Sequence, residues 1–560
     1  YDLKTKQPTT SPFILFQGIA NPPEECSESR FRLSFNSRLN LQRVLLPSIR
    51  IQRRCPWIFP LDADQRAEAK DGGENGSYSN FFRCGYSADQ EGGVGNLNGA
   101  VPFVSCDFTR VQCEERGMFS KDHANRNTGH FGGIEFVPAS TLVRTYGASS
   151  RHLSSAVENT TRYNDFVPMV YGTAWYEPPV VFARNDGNLT RMEVLLGVGP
   201  IEGVIKILVN GIEIPIGQDG KNMTSTGWYN MINYGYRSGG FNQDFSDSQG
   251  NPLGDPYGSM AYLSLVVPNR ISDGKALPKV EVLLQGLKLP IYSEAGVRIE
   301  ESFTNNPAWV ILDVLRRTGW MPSELNFASF ARAALFCSTS IATQDLYGNS
   351  VSIPRYECNL VLRRRMSAAD LIRGIRNGSQ LILTYGEGGK LELRIENTIA
   401  IQQPGKAPGS NSTGAVTNGW PVYEFSDGSR SFGGILRKEN GESTVVVFSR
   451  STADTANRMT LEFQDSFNDY QQDSVSLVDS EDVLVAGQEI TASVNALGIG
   501  NFDQALRVAR LSLNKSIYGN LFIEFETSMK GLGIRPGDLI SFTYLKEGFE
   551  RQLFRVIRIS

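Results

Sequence analysis

Cysteine placement is the most chemically suggestive feature of the chain. Cys26, Cys55, Cys84, Cys106 and Cys113 fall early, and only Cys337 and Cys358 lie beyond. The stretch "VSCDFTRVQCEERG" (104–117) sets Cys106 and Cys113 seven positions apart on what reads as a short helix. At 1.5 Å rise per residue their Cα atoms stand about 10 Å apart, on one face. A disulfide needs Cα atoms within about 7 Å, so a helical pair does not bond to itself. A single zinc is awkward as well, since its thiolates converge on one ion at about 2.3 Å. A four-iron cluster is wider and accepts thiolates from well-separated points. Cys55 in "RRCPWIF" and Cys84 in "FRCGY" would complete such a set. From the residues alone four readings stay open: buried free thiols, zinc with His123 or His130 as further ligands, an iron–sulfur cluster, or disulfides.

Other chemistry is sparse. His123, His130 and His152 are the three histidines. Neither a G-x-S-x-G nucleophile elbow nor a G-x-x-x-x-G-K-[ST] phosphate loop occurs. "GVGPIEG" (197–203) lacks the G-x-G-x-x-G spacing and reads as a strand bend. "DFSDSQGNPLGD" resembles a calcium loop in composition only, because the alternating acidic positions and the terminal Glu are missing. Carboxylates are plentiful, yet no glycosidase-like pair stands out. The expectation is a protein that is not an enzyme. Net charge is −4 over 560 residues, which argues against sequence-specific nucleic-acid binding or general attraction to anionic membranes. No apolar run approaches the roughly 20 residues of a membrane helix, so stable insertion is not expected.

The elements that would position any site are mostly strands. "GVIKILVNGIEIPIG" (203–217) has two β-rich runs joined by Asn210-Gly211, a strong hairpin signal. "SQLILTYGEGGKLELRIE" (379–396) repeats that design, and the C-terminal 40 residues continue in the same style. Three helices stand out. Asn306 and Pro307 open the first. Ser367 and Asp370 have capping-box spacing in the second, as do Asn501 and Gln504 in the third. Residues 218–260 and 403–420 read as long loops; Trp228, Tyr229, Tyr234 and Tyr236 mark the first as a contact surface. The expected fold class is mainly β with α+β elements: several small antiparallel barrel or sandwich domains plus a loop-rich metal-cluster module.

Two resemblances sharpen this reading. "LFQGIANPPEECSESRFRLSFNSRLNLQRVLLPSIRIQRRCPWIFP", followed by the "CGY", "CDFTRVQC" and "GHFGG" motifs, resembles minor tail protein L of long-tailed phages over about residues 11–140. That resemblance implies a [4Fe-4S] cluster, with zinc as the alternative, held by Cys55, Cys84, Cys106 and Cys113. Arg116 and Phe131-Gly132-Gly133 complete its pattern, and Cys26 falls outside it. From about residue 160 onward the chain resembles tail-tip hub proteins related to attachment protein J and to the baseplate hubs of gene-transfer agents. The stretches that carry this include "VPMVYGTAWYEPPVV", "FTNNPAWVILDVLRRTGW", "CNLVLRRRMSAADLIRGI", "NFDQALRVARLSL" and "GIRPGDLISFTY", in the family's order.

The implied organisation is the end of an N-terminal β domain (1–50), a cluster module (51–140), a hub β-domain with a long loop (141–300), an α+β hub domain (301–400) and a C-terminal hub β-domain (401–560). The implied role is a virion hub at the distal end of a tail, closing the tube and linking it to the host-attachment apparatus. Implied partners are two further copies in a homotrimer, a distal tail protein, a tape measure protein, and tip fibres or receptor-binding proteins. The alternative is a tail-associated receptor-binding or cell-wall-degrading protein.

Overall fold

The computed structural model describes short strands between residues 18 and 37, residues 41–47, and most of 166–559. Within that last span 186–188, 217–221, 224–227, 236–259, 269–276, 387–388, 403–423, 429–432, 452–453, 529 and 532–533 lie outside the described residues. Cys55, Cys84, Cys106 and Cys113 also lie outside them. Strands dominate, in small, mostly antiparallel sheets, none of which closes among the described residues. The mainly β expectation with α+β elements is thus met.

Two five-stranded antiparallel sheets pack together first. One carries Ile212–Ile214, Ile201–Val209, Val280–Tyr292 and Arg298–Phe303 in that order, with Thr173–Tyr176 also pairing to Val280–Tyr292. The other runs Asn222–Met223, Trp228–Asn233, Met260–Pro268, Leu189–Val198, Val180–Asn185. Ile207, Val209, Val282 and Leu284 from the first sheet meet Val194, Leu196, Leu263 and Leu265 from the second in one buried cluster. The turn between Ile201–Val209 and Ile212–Ile214 is the expected one. Asn210 and Gly211 both take positive φ, 51° and 78°, matching the twist of the flanking strands. The stretch expected as loop at 218–260 is only partly so, because Trp228–Asn233 is a strand hydrogen-bonded to Met260–Pro268. Its asparagines disguise a run whose ladder, supplied by a strand some thirty residues away, overrides local propensity.

A helical unit follows. Helix α1 (Pro307–Arg317) starts where Asn306 accepts a hydrogen bond from the Ala308 amide. Helix α2 is Phe327–Cys337, and helix α3 (Ala368–Ser379) is capped by Ser367, which accepts from Asp370 N. Helix α4 (Phe502–Ile517) is capped by Asn501, which accepts from Gln504 N. These helices pack with the hairpin Leu381–Tyr385/Leu391–Ile395 and the longer hairpin Arg458–Asp465/Gln471–Val478. Val310, Leu315, Phe330, Leu371, Val508 and Phe463 are among the buried side chains of this second core. Leu41 and Leu46 belong to it too, and Leu45–Leu46 pairs with Met366–Ser367 just before α3.

The third core lies in the C-terminal part. There Glu424–Ser426, Leu539–Tyr544 and Phe549–Arg555 form one sheet, with Phe425, Ile540 and Phe542 buried beneath it. The Phe542 ring sits edge-on to Phe554 at 5.9 Å, a favourable aromatic arrangement.

One strand serves two cores. In Val280–Tyr292, Val280, Val282 and Leu284 point into the sandwich, whereas Leu287 and Leu289 point into the helical unit. Strand alternation explains this division, since even and odd positions face opposite sides. Met169–Tyr171 divides likewise, with Val170 in the sandwich core and Met169 and Tyr171 in the other. The two strands approach so closely that a methyl group on Gly286 would collide with the Val170 carbonyl. Gly286→Ala is therefore expected to destabilise the chain by about 1–3 kcal/mol, read from chemical denaturation. Gly203→Ala, whose added methyl would meet nothing nearer than Tyr234 at 3.9 Å, is the control and should lie close to the parent protein.

Candidate functional site

Where the sandwich meets the helical unit, polar side chains finish what the strand ladders leave open. Leu360–Leu362 pairs with Met169–Tyr171, carrying the ladder across the join. Beyond its end, the Thr173 amide donates to Asn359 Oδ1 at 2.9 Å, while the Asn359 amide donates to the Gly498 carbonyl at 2.7 Å. Asn359 is 5% exposed. The Cys358 amide donates to the Asn305 carbonyl at 2.7 Å. Gln504, fully buried on the first turn of α4, donates through Nε2 to the carbonyls of Glu357 and Gly378, each at 3.0 Å, and accepts from Glu357 N at 3.0 Å. The spacing suggested that Gln504 would reach back to Asn501 in a capping box. Its side chain instead spans three elements, because buried backbone groups there have no ladder partner.

Charges brace the same join. Tyr171 donates its hydroxyl to Asp313 Oδ2 at 2.6 Å, and Arg317 Nε donates to the same oxygen at 2.7 Å. Burial, together with the Asp313 carboxylate, holds the Tyr171 phenol far above its ordinary range. At the tip of the longer hairpin Asp469 and Tyr470 both adopt left-handed backbone, φ 51° and 58°. Such conformations are disfavoured for residues with a side chain, and here the surroundings hold them. Asp469 pairs with Lys206 of the sandwich at 3.1 Å.

A second set of ion pairs fastens the C-terminal part to the Leu381–Tyr385/Leu391–Ile395 hairpin. Arg394 meets Asp538 at 2.6 Å, and Arg535 meets Glu392 at 3.4 Å. Glu396 receives Arg555 at 3.4 Å, and within the helical unit it also receives Lys515 of α4 at 2.6 Å. Within the C-terminal part the fully buried Glu424 pairs with Arg551 at 2.8 Å.

This arrangement holds parts together. Among the described residues no three metal-capable His, Cys, Asp or Glu side chains converge. Cys337 and Cys358 are buried free thiols, and burial pushes the Cys358 thiol up to about 12. Both stay protonated at neutral pH and behave as small apolar groups. Of the residues singled out in the sequence, Asn306 reappears with a double role. Its side chain caps α1 and also donates to Ala334 O and Ser338 Oγ, each at 2.9 Å. Tyr171, Glu357 and Asn359 carried no signal of their own.

Comparison with known proteins gives this scaffold a context. Residues 435–559 match a family described as putative phage tail protein. A stretch of 248 residues is 25% identical to the tip attachment protein J of Escherichia phage SECphi27, covering 43% of this chain and 18% of that relative. These matches support a structural protein of a phage tail. Among solved structures, a chain titled as the virion of a native gene transfer agent particle is similar with a TM-score of 0.47 and 12% identity. That alignment covers 78% of this chain and 93% of the other.

The join also carries a pH dependence. Burial raises the Glu357 carboxyl above the usual range, with the amides of Asn305 and Asn501 opposing. A carboxyl whose folded value is raised holds its proton longer in the native state, so stability falls as pH rises through the interval between its unfolded and folded values. Glu357→Gln removes that dependence. The difference in melting temperature between variant and parent should shift in the variant's favour from about pH 4 towards pH 7. A pH-independent difference would refute the assignment.

Proposed function

We propose that this chain is the hub at the distal end of a phage tail, closing the tube and linking it to the host-attachment apparatus as a homotrimer. The observation that carries this reading is the pair of sequence matches, to a phage tail family and to a tip attachment protein. The braced join supports it physically. A closure that stays shut until triggered needs units that do not shift against one another, and here shared strands and buried amides tie sandwich to helices. Its partners in this role are a distal tail protein, a tape measure protein, and tip fibres or receptor-binding proteins. Antibody against the chain should label virions at the far tip of the tail. Label along the tube or on the head would overturn the hub role.

The same proposal includes a structural [4Fe-4S] cluster on Cys55, Cys84, Cys106 and Cys113, with zinc as the alternative. It rests on their spacing and on the resemblance to the tail protein L family. A loop-rich module with little core of its own gains rigidity when distant thiolates share one cofactor. Full-length protein purified without oxygen should be brown and carry about four irons per chain, and Cys106→Ser should lose them. Colourless protein with stoichiometric zinc would replace iron with zinc; protein with neither would leave the four as packed thiols.

A further inference from the structure

A small hairpin between α2 and α3, Ser340–Gln344 and Ser350–Pro354, stands apart from every larger sheet. Among the described residues its two strands pair only with each other. Ile353, near its base, is its one buried strand residue, and the rest are exposed or half-buried. A lone two-stranded hairpin is marginal in water. This one is nevertheless built with care at its tip. Asp345 Oδ1 accepts from the amides of Tyr347 and Asn349 at 2.9 and 2.8 Å, and Oδ2 accepts from Asn349 Nδ2 at 2.9 Å. Those bonds, the Asn349 side chain foremost, hold the Asp345 carboxyl below its ordinary range. The tied turn presents Leu346 and Tyr347 at 61% and 89% exposure. Large apolar side chains fixed in place before contact lose little entropy on binding.

The edges of this arm lack the usual protection. Natural sheet edges are guarded by lysine, proline or bulges. From 338 to 354 the one charged residue is Asp345, already engaged within the turn, and the one proline is Pro354 at the base. The direction of the free backbone groups follows from the ladder. The Asp345 amide bonds to Asn349 O, and the Arg355 amide bonds to Thr339 O. Bonded pairs alternate along an antiparallel ladder, so 343 with 351 and 341 with 353 exchange hydrogen bonds. Ser340, Ala342 and Gln344 therefore turn their backbone groups outward on one edge, and Ser350 and Ser352 on the other.

We propose that this arm joins copies of the chain, with the Ser340–Gln344 edge of one copy pairing to the Ser350–Pro354 edge of the next. The inference rests on the homotrimeric reading above and names its contact. Symmetry makes the two edges compatible. When arms lie along a rotation axis, the outgoing strand of one copy faces the returning strand of its neighbour, antiparallel as the ladder requires. Repetition around the axis closes the sheet and leaves no free edge. The absence of charge along the two edges suits a second copy, since identical neutral edges meet without repulsion, whereas a charged partner surface would find no counter-charge on them.

The test is the mass of the full chain in solution, by sedimentation across a micromolar concentration series. The double variant Ala342→Pro with Ser352→Pro removes one outward donor from each edge and no backbone bond of the hairpin itself; Ser352→Ala, which loses only the hydroxyl contact with Ser340, is its control. The double variant should weaken self-association roughly tenfold or more, from two lost hydrogen bonds per junction. Gln344→Lys places a charge on one edge without touching the backbone and should act in the same direction, with circular dichroism unchanged. Parent protein that is oligomeric together with edge variants of equal mass would overturn the arm while sparing the trimer. Parent protein that stays a single copy throughout would overturn the trimer itself, and the arm proposal with it.

Discussion

Two hydrophobic cores in this protein share one wall, and most of its structure follows from that. A strand offers two faces, and in an ordinary sandwich one of them meets solvent. In Val280–Tyr292 and Met169–Tyr171 each face meets a different core. Separating the helical unit from the sandwich would expose Met169, Tyr171, Leu287 and Leu289 together with the helix side chains packed on them, so their burial stabilises the join. The close approach also explains a glycine inside a largely apolar strand. At Gly286 a second strand occupies the space that a side chain would need.

A shared wall creates a difficulty that apolar packing does not solve. Where ladders end at the join, backbone amides and carbonyls are buried without strand partners, and leaving one unpaired is costly. The amide side chains of Asn359 and Gln504 suit this place because each both donates and accepts. Asn359 completes Thr173 from the sandwich, and Gln504 completes Glu357 and Gly378. Arg317 and Tyr171 do the same for a charge, sharing Asp313 between two elements. Directional bonds of this kind fix the angle between units, which apolar contact alone leaves loosely defined.

The division between what sequence revealed and what it hid follows the range of the interactions. Caps act within one turn, so Asn306, Ser367 and Asn501 announced their helices from local spacing. Asn210-Gly211 announced its hairpin because a tight turn is chosen by two residues. Helix α2 was silent: "FASFARAALFC" is apolar nearly all round, which blurs the 3.6-residue stripe that marks a surface helix. Trp228–Asn233 was silent for the opposite reason, its polar residues resembling loop. The join was beyond reach altogether, since Thr173 and Asn359 are 186 positions apart and nothing in their two separate stretches signals that they meet. Gln504 shows how a correct local signal can mislead. Its spacing from Asn501 fitted a cap, and the backbone cap did form, but its side chain found stronger demand in the buried carbonyls nearby.

Rigidity inside one chain has a consequence for how such a protein could move. A hinge needs a place where few contacts cross and where backbone bonds can be surrendered without burying unpaired groups. The join offers neither, because its hydrogen bonds are buried and its strands belong to two cores. The C-terminal part is fastened differently, in part by ion pairs whose members keep some exposure, such as Arg555 at 29% against Glu396 at 17%. Pairs of that kind are weakened by salt and by water, and contribute little individually. Internal motion should therefore begin between the C-terminal part and the helical unit, while sandwich and helices travel as one body. In the proposed ring of copies the same logic would move any larger opening to the contacts between chains, where uncharged strand edges can separate and solvate without leaving a buried charge behind.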